Sequence, residues 1–180
     1  MEFEQMLRLC AQYDNEACRE FYMRYRFETF NCCFRILQNS SESEEVMHNV
    51  FLKAFKHLDK FVGDEKHLCA YLKKIGINMS INILRERKKI NFVAFEEDIP
   101  VDLPAEENED FDYSVEFIKQ TINDLPNGYR LIITLRLLEE LDFEEIAKQL
   151  KIKPSTVRSQ YVRALAKLRL MLNQKPKPTL

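Results

Sequence analysis

Apolar side chains recur at helical spacing along most of the chain, without regular alternation of apolar and polar residues. Intervals of three and four residues place side chains on one face of an α-helix, whereas strands alternate with a period of two. The clearest such series is Val46, Val50, Ala54 and Leu58, which we expect to be buried. Ser41 or Ser43 is positioned to cap this helix. The pattern predicts an all-α protein.

Two other stretches of the N-terminal half follow the same spacing. An aromatic stripe typical of a core is formed by Phe21, Tyr22, Tyr25, Phe30 and Phe34. A later helix has an inner face of Leu72, Ile75, Met79 and Ile83. Its polar and basic outer face carries Lys73, Lys74, Asn78, Arg85, Arg87, Lys88 and Lys89. We therefore expect a helical bundle with this basic face exposed.

The C-terminal part predicts two helices joined by a tight turn. Asp142 and Glu145 form a capping-box pattern at the start of the first helix. Its apolar face is Ile146, Ala147 and Leu150. The turn at 151–153 follows, and Pro154 suits the first turn of the next helix, where its missing N–H costs little. The inward residues of that helix are Val157, Tyr161, Ala164 and Leu168. Two amphipathic helices precede them, around Pro126-Asn127-Gly128.

The outer arc of the last helix carries the chemistry of a DNA-reading surface. Ser155, Arg158 and Ser159 lie there, with Arg163 beside them. Arginine can bond a guanine edge with two N–H groups or bind phosphate, and a helix N-terminus favours phosphate. The arrangement is that of a helix-turn-helix with its second helix in the major groove. The alternative is a solvated basic face on an ordinary helical hairpin.

Charge divides the chain into three segments. Residues 1–90 have a net charge of +2, residues 91–114 have -9 and residues 115–180 have +5, so the chain total is -2. The last thirty residues contain eight basic side chains and no acidic ones. Like charges keep a segment extended. We therefore predict a helical domain at 1–90, an acidic flexible linker at 91–114 and a second helical domain at 115–180.

Several functional classes receive no support from the sequence. The five cysteines and three histidines do not follow zinc-ligand spacing, and reduced thiols are favoured. We expect no metal, no cofactor, no small-molecule substrate and no catalytic residues, because no P-loop, HExxH or G-x-S-x-G motif occurs. The acidic start MEFEQMLRLC lacks an apolar signal region, and no apolar run could span a bilayer. Cytoplasmic localisation is the resulting expectation.

The segment from Leu125 to Leu172 resembles region 4 of bacterial sigma-70-family factors, in the extracytoplasmic-function (ECF) group. The matching pieces are Leu125-Pro126, Phe143-Glu144-Glu145-Ile146-Ala147, Thr156-Val157-Arg158-Ser159, Arg163-Ala164 and Lys167-Leu168. In that family this domain reads the minus-thirty-five promoter element. The resemblance implies that this DNA is contacted by Lys153, Ser155, Thr156, Arg158, Ser159 and Arg163.

The N-terminal half is similar to region 2 of the same family. Region 2.2 of the family docks on the clamp of the largest RNA polymerase subunit, which implies a docking face of Glu45, His48, Asn49 and Leu52. The stretch FVGDEKHLCAYLKKIGINMSINILRERKK is similar to regions 2.3 and 2.4, which melt and capture the minus-ten element. A loop at about 62–67 would surround a flipped base. The implied single-strand contacts are Asp64, His67, Tyr71, Lys74, Asn78 and Arg85.

The resemblance covers nearly the whole chain and predicts an ECF-type sigma factor. Its partners would be core RNA polymerase, through the clamp and the flap, and promoter DNA. Such factors are usually held inactive by an anti-sigma factor, often membrane-bound. The acidic segment would either thread into the polymerase cleft or serve as a disordered tether. The alternative function is a stand-alone helix-turn-helix regulator that binds paired operator half-sites as a dimer.

Overall fold

The computed structural model describes residues 1–87 and 113–174, and these residues form helices without strands. The all-α prediction is confirmed. The chain divides into two compact units, Met1–Glu86 and Arg87–Leu180. Of the predicted acidic linker at 91–114, only the last two positions lie within the described residues, and Lys88 and Lys89 lie outside them.

The N-terminal unit is a bundle of four α-helices. These are α1 (Phe3–Ala11), α2 (Asn15–Leu37), α3 (Ser40–Phe55) and α4 (Glu65–Glu86), with a short 3-10 helix at Leu58–Lys60. Helix α2 packs against the other three. Phe21 of α2 is fully buried, and its ring centroid lies 5.1 Å from that of Tyr25, 5.9 Å from that of Phe51 and 5.4 Å from that of Phe55. The predicted aromatic stripe thus supplies part of the core, although Tyr22, Phe30 and Phe34 are half-buried.

Helix α3 buries the predicted face but is capped by another residue. Val46, Val50 and Ala54 are buried, as is Leu58 in the following 3-10 helix. The cap is Asn39, whose side-chain oxygen accepts a hydrogen bond from the Glu42 backbone at 3.0 Å. The prediction of Ser41 or Ser43 as the cap is wrong. Ser43 is buried inside the helix and donates to the Asn39 carbonyl at 2.6 Å. Asn39 has the extended backbone that a cap requires, with φ -141°.

The buried face of α4 is wider than its predicted stripe. Leu72 and Ile75 are buried, but Met79 and Ile83 are only half-buried. The remaining buried positions are Leu68, Gly76, Ile77, Ser80, Ile81 and Leu84. Helix α4 packs against both α2 and α3, so two neighbouring arcs of its surface are covered. A single stripe at helical spacing describes only one of these contacts.

Gly76 marks a close approach between α4 and α2. A Cβ atom at this position would lie 2.9 Å from Cys33 Sγ and 3.6 Å from Val50 Cγ2. Cys33 is itself fully buried, so its sulfur has little room to move. The absence of a side chain at Gly76 therefore permits the packing of these two helices.

Gly76→Ala is expected to destabilise the N-terminal unit by about 1–2 kcal/mol, because overpacking outweighs the gain of about 1 kcal/mol in helix propensity. Urea titration measures the change in free energy of unfolding. Cys33→Ala in the same chain removes the obstructing sulfur and should recover most of the loss. If Gly76→Ala is as destabilising with Cys33→Ala as without it, the sulfur is not the obstacle.

The C-terminal unit contains α5 (Val115–Asn123), α6 (Asn127–Ile133), α7 (Phe143–Leu150) and α8 (Pro154–Gln174). Helix α6 continues into a π-helical turn, Thr134–Leu138. Helix α8 packs against the other three helices. The core shared by α5, α6 and α8 is Ile122, Leu125, Tyr129, Ile133, Ala164, Leu168 and Leu172. The two amphipathic helices predicted upstream are present, although Val115 is exposed at the start of α5 and Leu138 is half-buried.

Candidate nucleic-acid interfaces

The predicted capping box at the start of α7 is present. Asp142 Oδ1 accepts from the Glu145 backbone at 2.7 Å, and Glu145 Oε2 accepts from the Asp142 backbone at 3.1 Å. At the other end Lys151 adopts a left-handed conformation, φ 55°, and Ile152 N–H donates to the Ala147 carbonyl at 3.1 Å. These bonds satisfy backbone groups that a helix leaves open at its ends. They end α7 sharply, and α8 begins three residues later at Pro154.

The inner face of α8 holds the second helix of this motif against the unit. Val157, Ala164 and Leu168 are buried as predicted. Tyr161 is half-buried, and its ring lies edge-on to Phe143 of α7 at 5.5 Å. Gln160 is also buried because it lies between Val157 and Ala164 on the same face. The face opposite these residues is left for contacts outside the unit.

The residues predicted to contact duplex DNA lie just before α8 and along its first three turns. Lys153, Ser155, Arg158 and Ser159 are exposed. Thr156 and Arg163 are half-buried. Ser159 Oγ donates to the Ser155 carbonyl at 3.0 Å, a bond within the helix that leaves the hydroxyl oxygen able to accept. The helix N-terminus and two arginines are thus presented on one surface, an arrangement that suits a polyanion.

Arg158 has two neighbours in α7. Its Nη2 donates to Glu144 Oε1 at 2.8 Å, and its Cζ lies 5.7 Å from the centroid of the Phe143 ring. Arg136 lies against the same ring, with its Cζ at 5.3 Å from the centroid. The sequence pattern does not predict this arrangement. Glu144 and Arg158 are 14 positions apart on two different helices, so no helical spacing rule connects them.

Three of the residues predicted for the minus-ten strand share one pocket in the N-terminal unit. Tyr71, Lys74 and Asn78 of α4 line an open pocket of about 280 Å³. The other lining residues are Lys53, Ile75, Met79 and Asn82. Lys53 comes from α3 and brings a second ammonium group to the pocket. Asp64, His67 and Arg85 do not line the pocket.

The basic face predicted for α4 is not uniform. Lys74 is exposed, whereas Lys73 Nζ is 2.9 Å from Glu28 Oε1 of α2. Arg85 is half-buried, and its Nη1 lies 3.5 Å from Asn82 Oδ1. Lys73 therefore contributes to holding α4 against α2, whereas Lys74 is the lysine of α4 that lines the pocket.

Asp64 and His67 lie at the start of α4 rather than in an extended loop. Helix α4 begins at Glu65, so Glu65, Lys66 and His67 of the predicted loop form its first turn. Asp64 Oδ1 accepts from the His67 backbone at 2.9 Å and contacts His67 Nδ1 at 2.8 Å. Both side chains are exposed. Asp64 therefore caps the helix, and these bonds to His67 hold the pKa of its carboxyl below the usual range.

The pKa of Asp64 provides a local test of this cap. An NMR titration should place it below the ordinary aspartate value of about 3.9. His67→Ala should raise this pKa part of the way, since the stronger bond comes from the His67 backbone and remains. Because the pKa is lowered, the ionised carboxylate stabilises the folded state at pH values above the ordinary aspartate pKa. This stabilisation is lost as the pH falls through the folded-state pKa. Asp59→Asn, on an exposed carboxylate of the preceding 3-10 helix, is the control. An ordinary Asp64 pKa in the wild-type chain would contradict the cap.

The predicted docking residues share one face of α3. Glu45, His48 and Leu52 are exposed and Asn49 is half-buried. Leu52 is 60% exposed, which is unusual for a large apolar side chain on an otherwise polar face. His48 Nε2 lies 3.1 Å from the Tyr22 hydroxyl of α2, so the imidazole has a fixed position on this face. The combination of an exposed leucine with fixed polar groups suits a protein partner better than water alone.

Each of the two units matches a known protein family model. Residues 21–90 match the family model Sigma-70 region 2, and residues 118–168 match Sigma-70, region 4. The ECF RNA polymerase sigma factor SigW of Bacillus subtilis is 29% identical over 174 residues, which cover 88% of this chain and 90% of that protein. The ECF RNA polymerase sigma-E factor of Haemophilus influenzae is 29% identical over 178 residues, which cover 93% and 91%.

Two solved structures share the fold. The sigma factor RpoE in complex with the anti-sigma factor NepR from Bartonella quintana has a TM-score of 0.54 at 19% identity, with 88% of this chain and 98% of that one covered. CnrH in complex with the cytosolic domain of CnrY has a TM-score of 0.52 at 18% identity, with 95% and 97% covered. The two sigma-70 regions occur in family order, and the curated relatives align along most of their length. The chain therefore belongs to the sigma-70 family of RNA polymerase sigma factors, in the extracytoplasmic-function group.

Proposed function

We propose that this chain is a dissociable subunit of RNA polymerase that directs the core enzyme to specific promoters and helps to open the DNA. The observation that carries this proposal is the presence of both sigma-70 regions, each with an exposed polar and basic surface. A helix-turn-helix alone would serve many regulators. The match to region 2 favours a sigma factor over the stand-alone regulator. No feature of the N-terminal unit supports the regulator.

The start of α8 is the surface proposed for the minus-thirty-five element. Lys153 and Arg163 would bind phosphates. The hydroxyl groups of Ser155, Thr156 and Ser159 would form hydrogen bonds with either phosphates or base edges. Arg158 is the residue best suited to a guanine, because its guanidinium is exposed and presents a planar fork of N–H donors. Two exposed cations and a helix N-terminus support binding of duplex DNA at this site.

The pocket between α3 and α4 is the site proposed for a base of the melted minus-ten strand. Tyr71 would stack on the base, Asn78 would bond its edge, and Lys53 and Lys74 would bind the flanking phosphates. Arg85 would follow the backbone beyond the pocket. Asp64 and His67, which form the capped start of α4, would shape the approach to it. An open pocket with an aromatic ring and two ammonium groups supports single-strand binding.

The exposed face of α3 is the surface proposed for docking on core polymerase. Leu52 would supply apolar contact area, and Glu45, His48 and Asn49 would supply polar contacts around it. The flap of the polymerase is the corresponding partner of the C-terminal unit. By analogy with the complex of RpoE and the anti-sigma factor NepR, an anti-sigma factor would bind this chain and withhold it from polymerase.

The protein would carry out no covalent chemistry itself. Binding energy from core polymerase and promoter would offset the cost of strand separation, and the polymerase would catalyse RNA synthesis. This role places the chain in the cytoplasm, associated with the nucleoid while polymerase is bound. Among residues 1–87 and 113–174, no helix has the length and apolar character needed to cross a membrane.

A binding experiment with and without core polymerase tests the proposal. Transcription in vitro from a genomic DNA library, with core polymerase and this chain, first recovers promoters. A gel shift on a recovered promoter should then show much tighter binding by the holoenzyme than by the free chain. Stable binding of a palindromic duplex by the free chain, with no effect of core polymerase, would support the regulator instead.

A further inference from the structure

Glu144 and Arg158 connect the two helices of the helix-turn-helix through their exposed side chains. Glu144 is the second residue of α7, and Arg158 lies in the second turn of α8. The bond from Arg158 Nη2 to Glu144 Oε1 is 2.8 Å, with both side chains more than half exposed. An exposed ion pair of this kind contributes little to folding stability. Its main effects are on the orientation of the Arg158 side chain and on the local charge around it.

Phe143 restricts the guanidinium from a second direction. The Arg158 Cζ lies 5.7 Å from the Phe143 ring centroid, within the range of a cation–π contact. Phe143 itself is held edge-on by Tyr161 at 5.5 Å. The guanidinium is thus bounded by a carboxylate and by a ring that packing holds in place. A long side chain that would otherwise sample many rotamers has lost part of that freedom before any DNA arrives.

The carboxylate also changes what Arg158 binds well. A guanidinium presents N–H donors on more than one edge, so a bond to Glu144 leaves other donors for a guanine. Phosphate is different, because its attraction to arginine depends chiefly on charge. A carboxylate 2.8 Å from Nη2 offsets much of that charge and repels a phosphate nearby.

We propose that Glu144 is a positioning residue that directs Arg158 toward a base edge and away from the phosphate backbone of duplex DNA. This inference rests on the proposed function, in which the start of α8 reads the minus-thirty-five element. Glu144 touches no DNA in this mechanism and acts through Arg158. It converts a cation that would bind any sequence into one that discriminates between sequences.

The test uses the complete chain bound to core polymerase. The probe is a promoter recovered from genomic DNA and randomised across its minus-thirty-five region. Selection by the holoenzyme and sequencing give the preference for each base, and Arg158→Ala identifies the position that Arg158 reads. Glu144→Gln should lower the preference at that position by about five- to tenfold. Binding to a scrambled duplex should become tighter and more salt-dependent, since about one more positive charge is available to phosphates.

Glu116→Gln is the matched control. Glu116 is the second residue of α5, as Glu144 is of α7, and it is also exposed. Both substitutions remove a negative charge that favours the helix N-terminus, so a loss of helix stability would affect both variants. Only Glu144→Gln should change base preference, and thermal unfolding should be similar for the two.

A double-substitution cycle separates failure of this inference from failure of the proposed function. In an Arg158→Ala background, Glu144→Gln should cause no further loss of preference. An equal loss with and without Arg158 would overturn the positioning role, as would an unchanged preference in Glu144→Gln alone. If Arg158→Ala itself leaves every preference unchanged, the assignment of α8 to the minus-thirty-five element fails with it.

Discussion

Arg158→Glu is expected to lower transcription from a minus-thirty-five-dependent promoter by more than about a hundredfold, because it replaces a cation proposed to read a base with an anion. The new carboxylate would repel both the phosphates of the DNA and the carboxylate of Glu144. In the wild-type chain that carboxylate accepts a hydrogen bond from Arg158. Binding to the clamp of core polymerase should be unchanged, because the surface proposed for that contact lies on α3. Transcription in vitro and a core-binding assay measure the two effects separately.

Arg169→Glu provides a control on the same helix. Arg169 is exposed and the substitution makes the same change of charge, but Arg169 lies about three turns further along α8 than Arg158. Its effect on transcription should be at least tenfold smaller than that of Arg158→Glu, since long-range charge effects are screened by salt. Equal losses for the two variants would show that net charge, rather than contact at Arg158, governs promoter binding.

Phe21→Ala is expected to destabilise the N-terminal unit by about 3–5 kcal/mol, since it removes a fully buried ring from the bundle. Phe21 contacts Tyr25 on its own helix and Phe51 and Phe55 on α3, so its loss leaves a cavity where α2 meets α3. The decrease is a large fraction of the stability of an ordinary domain. Urea titration, followed by fluorescence of the tyrosines and by circular dichroism, measures the change.

Phe27→Ala is the matched control for this prediction. Phe27 lies on the same helix but is 64% exposed, and Cζ of the neighbouring Arg26 lies 4.4 Å from the centroid of its ring. Its replacement should change the free energy of unfolding by less than about 1 kcal/mol. A small effect of Phe21→Ala, comparable to that of Phe27→Ala, would mean that the core of the bundle is not centred on Phe21.

The proposed surfaces differed in how far the sequence could define them. The outer arc of α8 follows from helical spacing alone, and Arg158, Ser155 and Ser159 are exposed as that spacing requires. The residues that line the pocket between α3 and α4 cannot be derived from helical spacing alone. Tyr71, Lys74 and Asn78 are one turn apart, but Lys53 reaches the same pocket from another helix. A pattern within one helix contains no information about which residue of a neighbouring helix lies opposite it.

The sequence by itself determined features that depend on neighbouring positions in the chain. The capping box of Asp142 and Glu145, the turn before Pro154 and the buried face of α3 all arise from residues a few positions apart, where backbone geometry brings them into contact. The order of the two sigma-70 regions was likewise recognisable without a structure.

The tertiary structure decided what depends on residues far apart in the chain. It buried two arcs of α4 by packing this helix against both α2 and α3, and it brought Gly76 within reach of Cys33. It assigned the cap of α3 to Asn39, although Ser41 and Ser43 are also of a type that caps helices. It also joined Glu144 to Arg158 across the turn. These outcomes depend on how volumes and charges from separate helices fit together, which local spacing does not specify.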